Sequence, residues 1–160
     1  MGAKRAMAHA DSRKGPATLA LGVPLIVTAL PPGFPQNWMT VVKNVVLIVE
    51  DEAIVRLVAA SMLQDAGFDT LEADTAENAL HMLEEHDEVR VLFSDIQLPG
   101  MDGLSLARTV HDRWPDIGLV LTSGGTNLLK EQIPDDGSFL PKPYDCNEMV
   151  ETVRDQCGDA

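Results

Sequence analysis

From Val45 onward, apolar and polar positions fall into blocks that favour strands and helices by turns. Val45-Val46-Leu47-Ile48-Val49 is an unbroken, mostly β-branched run, which predicts a strand buried on both faces. Ala53 to Ala66 follows with Ile54, Leu57, Val58, Ser61 and Met62 at helical spacing, and Gly67 stands where a C-cap belongs. Asp69 to Ala73 reads as a short strand. Asp74 and Glu77 are then spaced as a capping box for a helix through Leu80 and Leu83. Val89 to Phe93 predicts a third strand ending in Ser94-Asp95, and Leu104 to Trp114 a helix stopped by Pro115. Ile117 to Leu121 predicts a fourth strand ending in Thr122-Ser123-Gly124. A weak, short helix is expected around Leu128 to Gln132, a brief fifth strand at Phe139-Leu140, and a last helix that Asp145 caps and that carries Met149, Val150 and Val153. Strands alternating with helices predict an α/β fold: a doubly wound, five-stranded parallel sheet with helices on both faces.

The first 43 residues follow no such pattern. Gly15 to Val42 is a 28-residue run without charge that holds Pro16, Pro24, Pro31, Pro32 and Pro35. Its apolar heart, Ala17 to Leu30, is 14 residues long, short of the ~20 that a membrane-spanning helix needs. A basic start before an apolar stretch imitates a signal peptide, but Pro24 interrupts the apolar region and Pro31-Pro32 follows it closely. Residues 1–43 are therefore read as an extension to a domain at 44–160. Two origins stay open for it: an upstream start, with Met39 as the native one, or a mostly disordered arm whose apolar stretch binds a partner or its own domain.

Charge sharpens the division. Residues 1–43 carry five Lys/Arg against one acid, a net of +4, whereas residues 44–160 carry seven against 24, a net of −17. Such an acid excess argues against nucleic acid as partner and suits a divalent cation or a partner with a basic face. Cys146 and Cys157 lie 11 residues apart in one helical pattern, roughly 16 Å along a helix and beyond disulfide reach. They are expected as reduced thiols packing as small apolar groups, in keeping with the cytoplasmic location expected for the chain. His81, His86 and His111 fall in or beside helices and read as surface residues.

In a doubly wound sheet the ligand site lies beyond the carboxyl ends of the strands. The polar residues gather there. The first strand ends in Glu50-Asp51-Glu52, the third in Asp95, the fourth in Thr122-Ser123, and the fifth leads into Lys142. Taken singly, each has a plainer reading as a helix cap, a turn residue or a surface lysine. Taken together they make a coherent chemistry: carboxylates and a backbone carbonyl form an oxygen site for Mg²⁺. Asp95 could act there as a carboxylate nucleophile towards phosphorus, while Lys142 and the Thr122 hydroxyl hold the oxygens of the transferring group.

These residues resemble the receiver domains of two-component response regulators. The segments that carry the resemblance are VVLIVEDE at 45–52, VLFSDIQLPGMDG at 91–103, LVLTSG at 119–124 and FLPKPY at 139–144. It covers roughly residues 44–157 and implies the flavodoxin-like, receiver-type form of the fold. It further implies Glu50 and Asp51 as metal acids, Asp95 as phosphoacceptor, and Gln97 as donor of a backbone carbonyl to Mg²⁺. Thr122 would be the switch hydroxyl, Lys142 the site lysine and Phe139 the switch aromatic, with a cis bond at Lys142-Pro143. The implied partners are a sensor histidine kinase or histidine phosphotransfer protein and an unknown downstream protein. Neither nucleic acid binding nor membrane insertion is expected.

Two departures from the family pattern stand out. Thr122 to Lys142 is shorter than usual and contains Gly124-Gly125, Pro134 and Gly137, so the fourth helix is expected to be short or poorly formed. Ser123 replaces the usual small Ala. With the chain ending three residues after Cys157, a stand-alone receiver is expected: not an enzyme beyond its own phosphorylation and dephosphorylation. A Mg²⁺-dependent aspartyl-phosphate phosphatase of the haloacid dehalogenase type would carry Asp-x-Asp, but the second position is Gln97, which cannot shuttle a proton. The alternative that stays open is a non-phosphorylated receiver-like scaffold, whose usual sign is a missing site residue, and all are present here.

Overall fold

A computed structural model describes residues 44–125, 132–134 and 137–158. All of these belong to the larger of two units into which the chain divides, Thr40–Ala160. The expectations for residues 1–43, and nearly all of the weak helix near Leu128 to Gln132, lie outside the described residues.

Five strands, β1 (Val45–Val49), β2 (Asp69–Ala73), β3 (Val89–Asp95), β4 (Gly118–Ser123) and β5 (Ser138–Pro141), form one parallel sheet in the order β2-β1-β3-β4-β5. Between and after them run α1 (Ala53–Asp65), α2 (Ala76–Glu85), α3 (Gly103–Arg113) and α4 (Cys146–Gln156). This is the doubly wound α/β architecture that the alternation predicts.

Every residue of β1 is buried, as an unbroken apolar run requires. Val45, Leu47 and Val49 face the side covered by Ala76, Ala79 and Leu83 of α2 and Leu106, Ala107 and Val110 of α3. Val46 and Ile48 face the side covered by Ala59, Ala60 and Leu63 of α1 and Met149, Val150 and Val153 of α4. Each Val, Leu, Ile or Met side chain so buried contributes about 1.5–3 kcal/mol by leaving water, and each alanine less. The β1–β3 register shifts at Val45/Val46, so that Val45 pairs with Val89 but Val46 with Val91. The exposed Arg90 is passed over, and Val89 and Leu92 thereby share one face despite their odd spacing.

Three local expectations need correction. The stripe of α1 that its spacing picks out is largely outside: Ile54, Leu57 and Val58 are 73%, 61% and 47% exposed, and the buried face is Ala59, Ala60 and Leu63. Two alanines let the helix lie close to the sheet, and the larger side chains turn away. The N-cap of α2 is Thr75, whose side chain accepts from the Asn78 amide, while Asp74 accepts from the Asn78 side chain at 2.6 Å. Of the two cysteines, neither in a disulfide, Cys157 packs against the core and Cys146 is exposed. The cap at Asp145 is as expected, and Glu148 completes a capping box. No helix among the described residues is long and apolar enough to cross a membrane.

Candidate functional site

The chain leaves β1 through α1 to reach β2 on one side, and leaves β2 through α2 to reach β3 on the other. The winding direction therefore reverses between β1 and β3, and a crevice opens beyond their carboxyl ends. Glu50-Asp51 follows β1, and Asp95 is the last residue of β3, so the acids flank this crevice.

One carboxylate oxygen from each of Glu50, Asp51 and Asp95 lies within 4.8 Å of the others. Glu50 and Asp95 are buried and Asp51 is exposed. The Lys142 ammonium donates to Glu50 Oε2 and Asp95 Oδ2, both at 2.8 Å. Burial works against the charge on Lys142, but the hydrogen bonds to Asp95 and Glu50 outweigh it and hold the ammonium above its ordinary range. Lys142 is aimed by the backbone around it: its amide donates to the Ser123 carbonyl at 2.9 Å, and the bond to Pro143 is cis as expected.

Thr122 is 1% exposed and lies beside Asp95 in the β3–β4 register, with its carbonyl accepting from the Ile96 amide at 2.9 Å. Gln97 meets the site through its amide, which donates to Asp95 Oδ1 at 3.2 Å. Phe139 stands opposite Leu121 and packs, half-buried, against the core on the α2–α3 side of the sheet. The structure thus brings Glu50, Asp51, Asp95 and Lys142 together directly. Thr122 and Gln97 adjoin Asp95, whereas Phe139 lies on β5, separated from Asp95 by β4. Gly103 is dictated by this geometry: a Cβ there would come within 2.0 Å of the Asp95 carbonyl oxygen, so only glycine lets α3 begin against the end of β3.

Two neighbours escape a reading by strand ends. Arg56 of α1 donates from Nη1 to the Glu50 carbonyl at 2.6 Å and pairs through Nε with Glu72 of β2 at 3.4 Å. Tyr144 packs edge-on against Phe93, ring centroids 5.9 Å apart, and burial pushes its phenol up. Arg56 carries no local signal in the sequence, because it is recruited by the way α1 packs beside β2, whereas Tyr144 ends the FLPKPY segment without being given a role there.

The donor set fits a hard divalent cation. All three side chains offer carboxylate oxygens, and the exposed Asp51 leaves one side accessible. When bound, Mg²⁺ would offset the repulsion among these acids and an incoming phosphoryl group.

Residues 46–154 match the family model of the response regulator receiver domain, and the chain belongs to that family. It is 36% identical over 114 residues to the sensor kinase CckA of Brucella abortus, a match covering 69% of this chain and 12% of that protein. It is 34% identical over 116 residues to the DNA-binding transcriptional regulator NtrC of Escherichia coli, covering 69% and 24%. A crystal structure of a response regulator receiver protein from Sinorhizobium medicae aligns with a TM-score of 0.68 at 26% identity, covering 73% of this chain and 96% of that one. The chain spans less than a quarter of the length of these two curated relatives.

Proposed function

We propose that Asp95 accepts a phosphoryl group from the phosphohistidine of a sensor histidine kinase or histidine phosphotransfer protein, with Mg²⁺ held by Glu50, Asp51, Asp95 and the Gln97 carbonyl. The observation that carries this reading is the Lys142 ammonium spanning Glu50 and Asp95 at 2.8 Å. In the transfer, an Asp95 carboxylate oxygen forms the new bond to phosphorus, the nitrogen–phosphorus bond breaks, and its electron pair returns to the donor imidazole. Lys142 and the Thr122 hydroxyl hold the phosphoryl oxygens as their charge develops. Gaining and hydrolysing this phosphoryl group is the chemistry proposed for the chain.

A protein donor suits the surroundings of the acids. Exposed Ile54 and Val58 line a groove of about 320 Å³ together with Lys142, Pro143 and Tyr144. The donor would bury this apolar surface while presenting its phosphohistidine to the adjacent Asp95. Output then passes by protein–protein contact in the cytoplasm, with Thr122 and Phe139 as the elements that respond to the new dianion.

The test is incubation with a small phosphodonor and Mg²⁺, followed by locating the modified residue by peptide mass spectrometry. Label on Asp95, and none on a folded Asp95→Asn variant, is expected. Labelling of that variant at the wild-type rate would overturn the assignment.

A further inference from the structure

Asp51 is the one acid of the cluster exposed to solvent, and its carboxylate accepts no hydrogen bond from a described side chain. The backbone that carries it decides where this side chain starts and how far towards the cluster it can reach. That backbone begins with the Glu50–Asp51 peptide, whose carbonyl belongs to Glu50. The Glu50 amide donates to the Ala73 carbonyl at 3.1 Å, at the very end of β2. The Glu50 carbonyl accepts from Arg56 Nη1 at 2.6 Å. Arg56 is itself held by Glu72, the residue before Ala73, at 3.4 Å. Both polar groups of the Glu50 backbone are thus tied to β2, one directly and one through a guanidinium.

We infer that Arg56 is a positioning residue: by fixing the Glu50 carbonyl it fixes the peptide plane from which Glu50 and Asp51 present their carboxylates to the cation. The inference rests on the metal-dependent reading above. The chemistry favours arginine here. A guanidinium can give one N–H to a carbonyl and another to a carboxylate in a fixed fork, and side chains on a helix lean towards its N-terminus, where Glu50 lies. The Arg56 side chain is 19% exposed, so the fork works where water competes little.

Charge and position make opposite demands, which gives the test its sign. If Arg56 acted through its charge alone, removing it would leave Glu72 as a further negative group near the site and would tighten Mg²⁺ binding. If it acts by holding the carbonyl, removing it loosens the site. Partners that orient ligating groups typically change metal affinity by about 10–100-fold.

The experiment is a Mg²⁺ titration of the full chain, followed by amide shifts at residues 50–52 and 95–97 and compared among wild type, Arg56→Gln and Arg56→Lys. The β4 amides report whether each variant is folded. Arg56→Gln is expected to bind Mg²⁺ about tenfold more weakly, with Arg56→Lys in between, because one donor can still reach the carbonyl. Labelling of Asp95 by a small phosphodonor should slow in Arg56→Gln at low Mg²⁺ and recover at saturating Mg²⁺. Unchanged or tighter Mg²⁺ binding in Arg56→Gln overturns the inference, and so does wild-type affinity in Arg56→Lys should Arg56→Gln not fold. A wild-type chain that shows these Mg²⁺ shifts but takes no label would sink the phosphoacceptor reading and leave the role of Arg56 standing.

Discussion

Glu50 and Asp95 keep only 8% of their side-chain surface in water, and a single ammonium serves both. Two carboxylates this close repel each other, so Lys142 holds the ends of β1 and β3 together before any cation arrives. Lys142→Met should therefore destabilise the metal-free chain by about 2–3 kcal/mol. That is less than the ~3–5 kcal/mol for breaking a fully enclosed pair, because Lys142 keeps 23% of its own side-chain exposure. Added Mg²⁺ should return part of the loss, since a cation bound only by the folded site stabilises it. Urea unfolding with and without Mg²⁺ measures both effects, and a variant as stable as wild type without Mg²⁺ would show that the pair holds nothing. At this scale the cluster was largely legible, because Glu50, Asp51, Asp95 and Lys142 each follow or end a strand that its own apolar run announces. Arg56 was not legible. Its partners are a backbone carbonyl and a carboxylate on β2, and nothing near it in sequence foretells either contact.

Among the elements, strands were legible where packing and sequence say the same thing. A run buried on both faces has no alternation to misread, and β1 falls where its residues predict; β2, a part-buried edge strand, also keeps its expected bounds. Helix faces are another matter. Spacing shows that α1 carries an apolar stripe, but the sheet chose Ala59, Ala60 and Leu63, and left Ile54, Leu57 and Val58 exposed. Caps divide the same way. Asp145 caps its helix as expected, accepting from the Glu148 amide at 2.9 Å, and the Glu148 side chain adds a reciprocal bond by accepting from the Asp145 amide at 3.1 Å. At α2 the cap shifted by one residue to Thr75, because the Thr75 hydroxyl rather than the Asp74 carboxylate reaches the Asn78 amide, at 3.2 Å. Asp145→Ala and Thr75→Ala should each cost about 1 kcal/mol in urea unfolding. Asp74→Ala, which loses one exposed side-chain contact, should cost less than about 0.5 kcal/mol. If Asp74→Ala cost more than Thr75→Ala, the cap would lie where the spacing alone puts it.

For the molecule as a whole, charge sets how stability responds to pH. Residues 44–160 carry a net of −17, and this self-repulsion grows as further protons leave and weakens with salt. Two groups beside the crevice add a sharper dependence. Burial, with help from Glu50 and Asp95 and against the charge of Lys142, raises Tyr144 above its ordinary 10.0. Lys142 is raised above its ordinary 10.5 despite burial, through its bonds to Asp95 and Glu50. In both cases the folded chain keeps its proton to a higher pH than the unfolded chain, so between the two values the native state binds more protons and stability falls as pH rises. The contribution is complete below the unfolded values and is lost through the folded ones. The urea midpoint should thus stay nearly level to about pH 9 and decline above about pH 10. High salt separates the causes, because it screens the general repulsion of exposed acids far more than the interactions of half-buried groups. In high salt the decline should persist, and Tyr144→Phe, which keeps the ring against Phe93 but has no phenol to ionise, should make it shallower. A decline that salt abolishes would assign alkaline sensitivity to the acidic surface and not to the groups around Asp95, and one that persists in high salt but that Tyr144→Phe leaves equally steep would assign it to Lys142 alone.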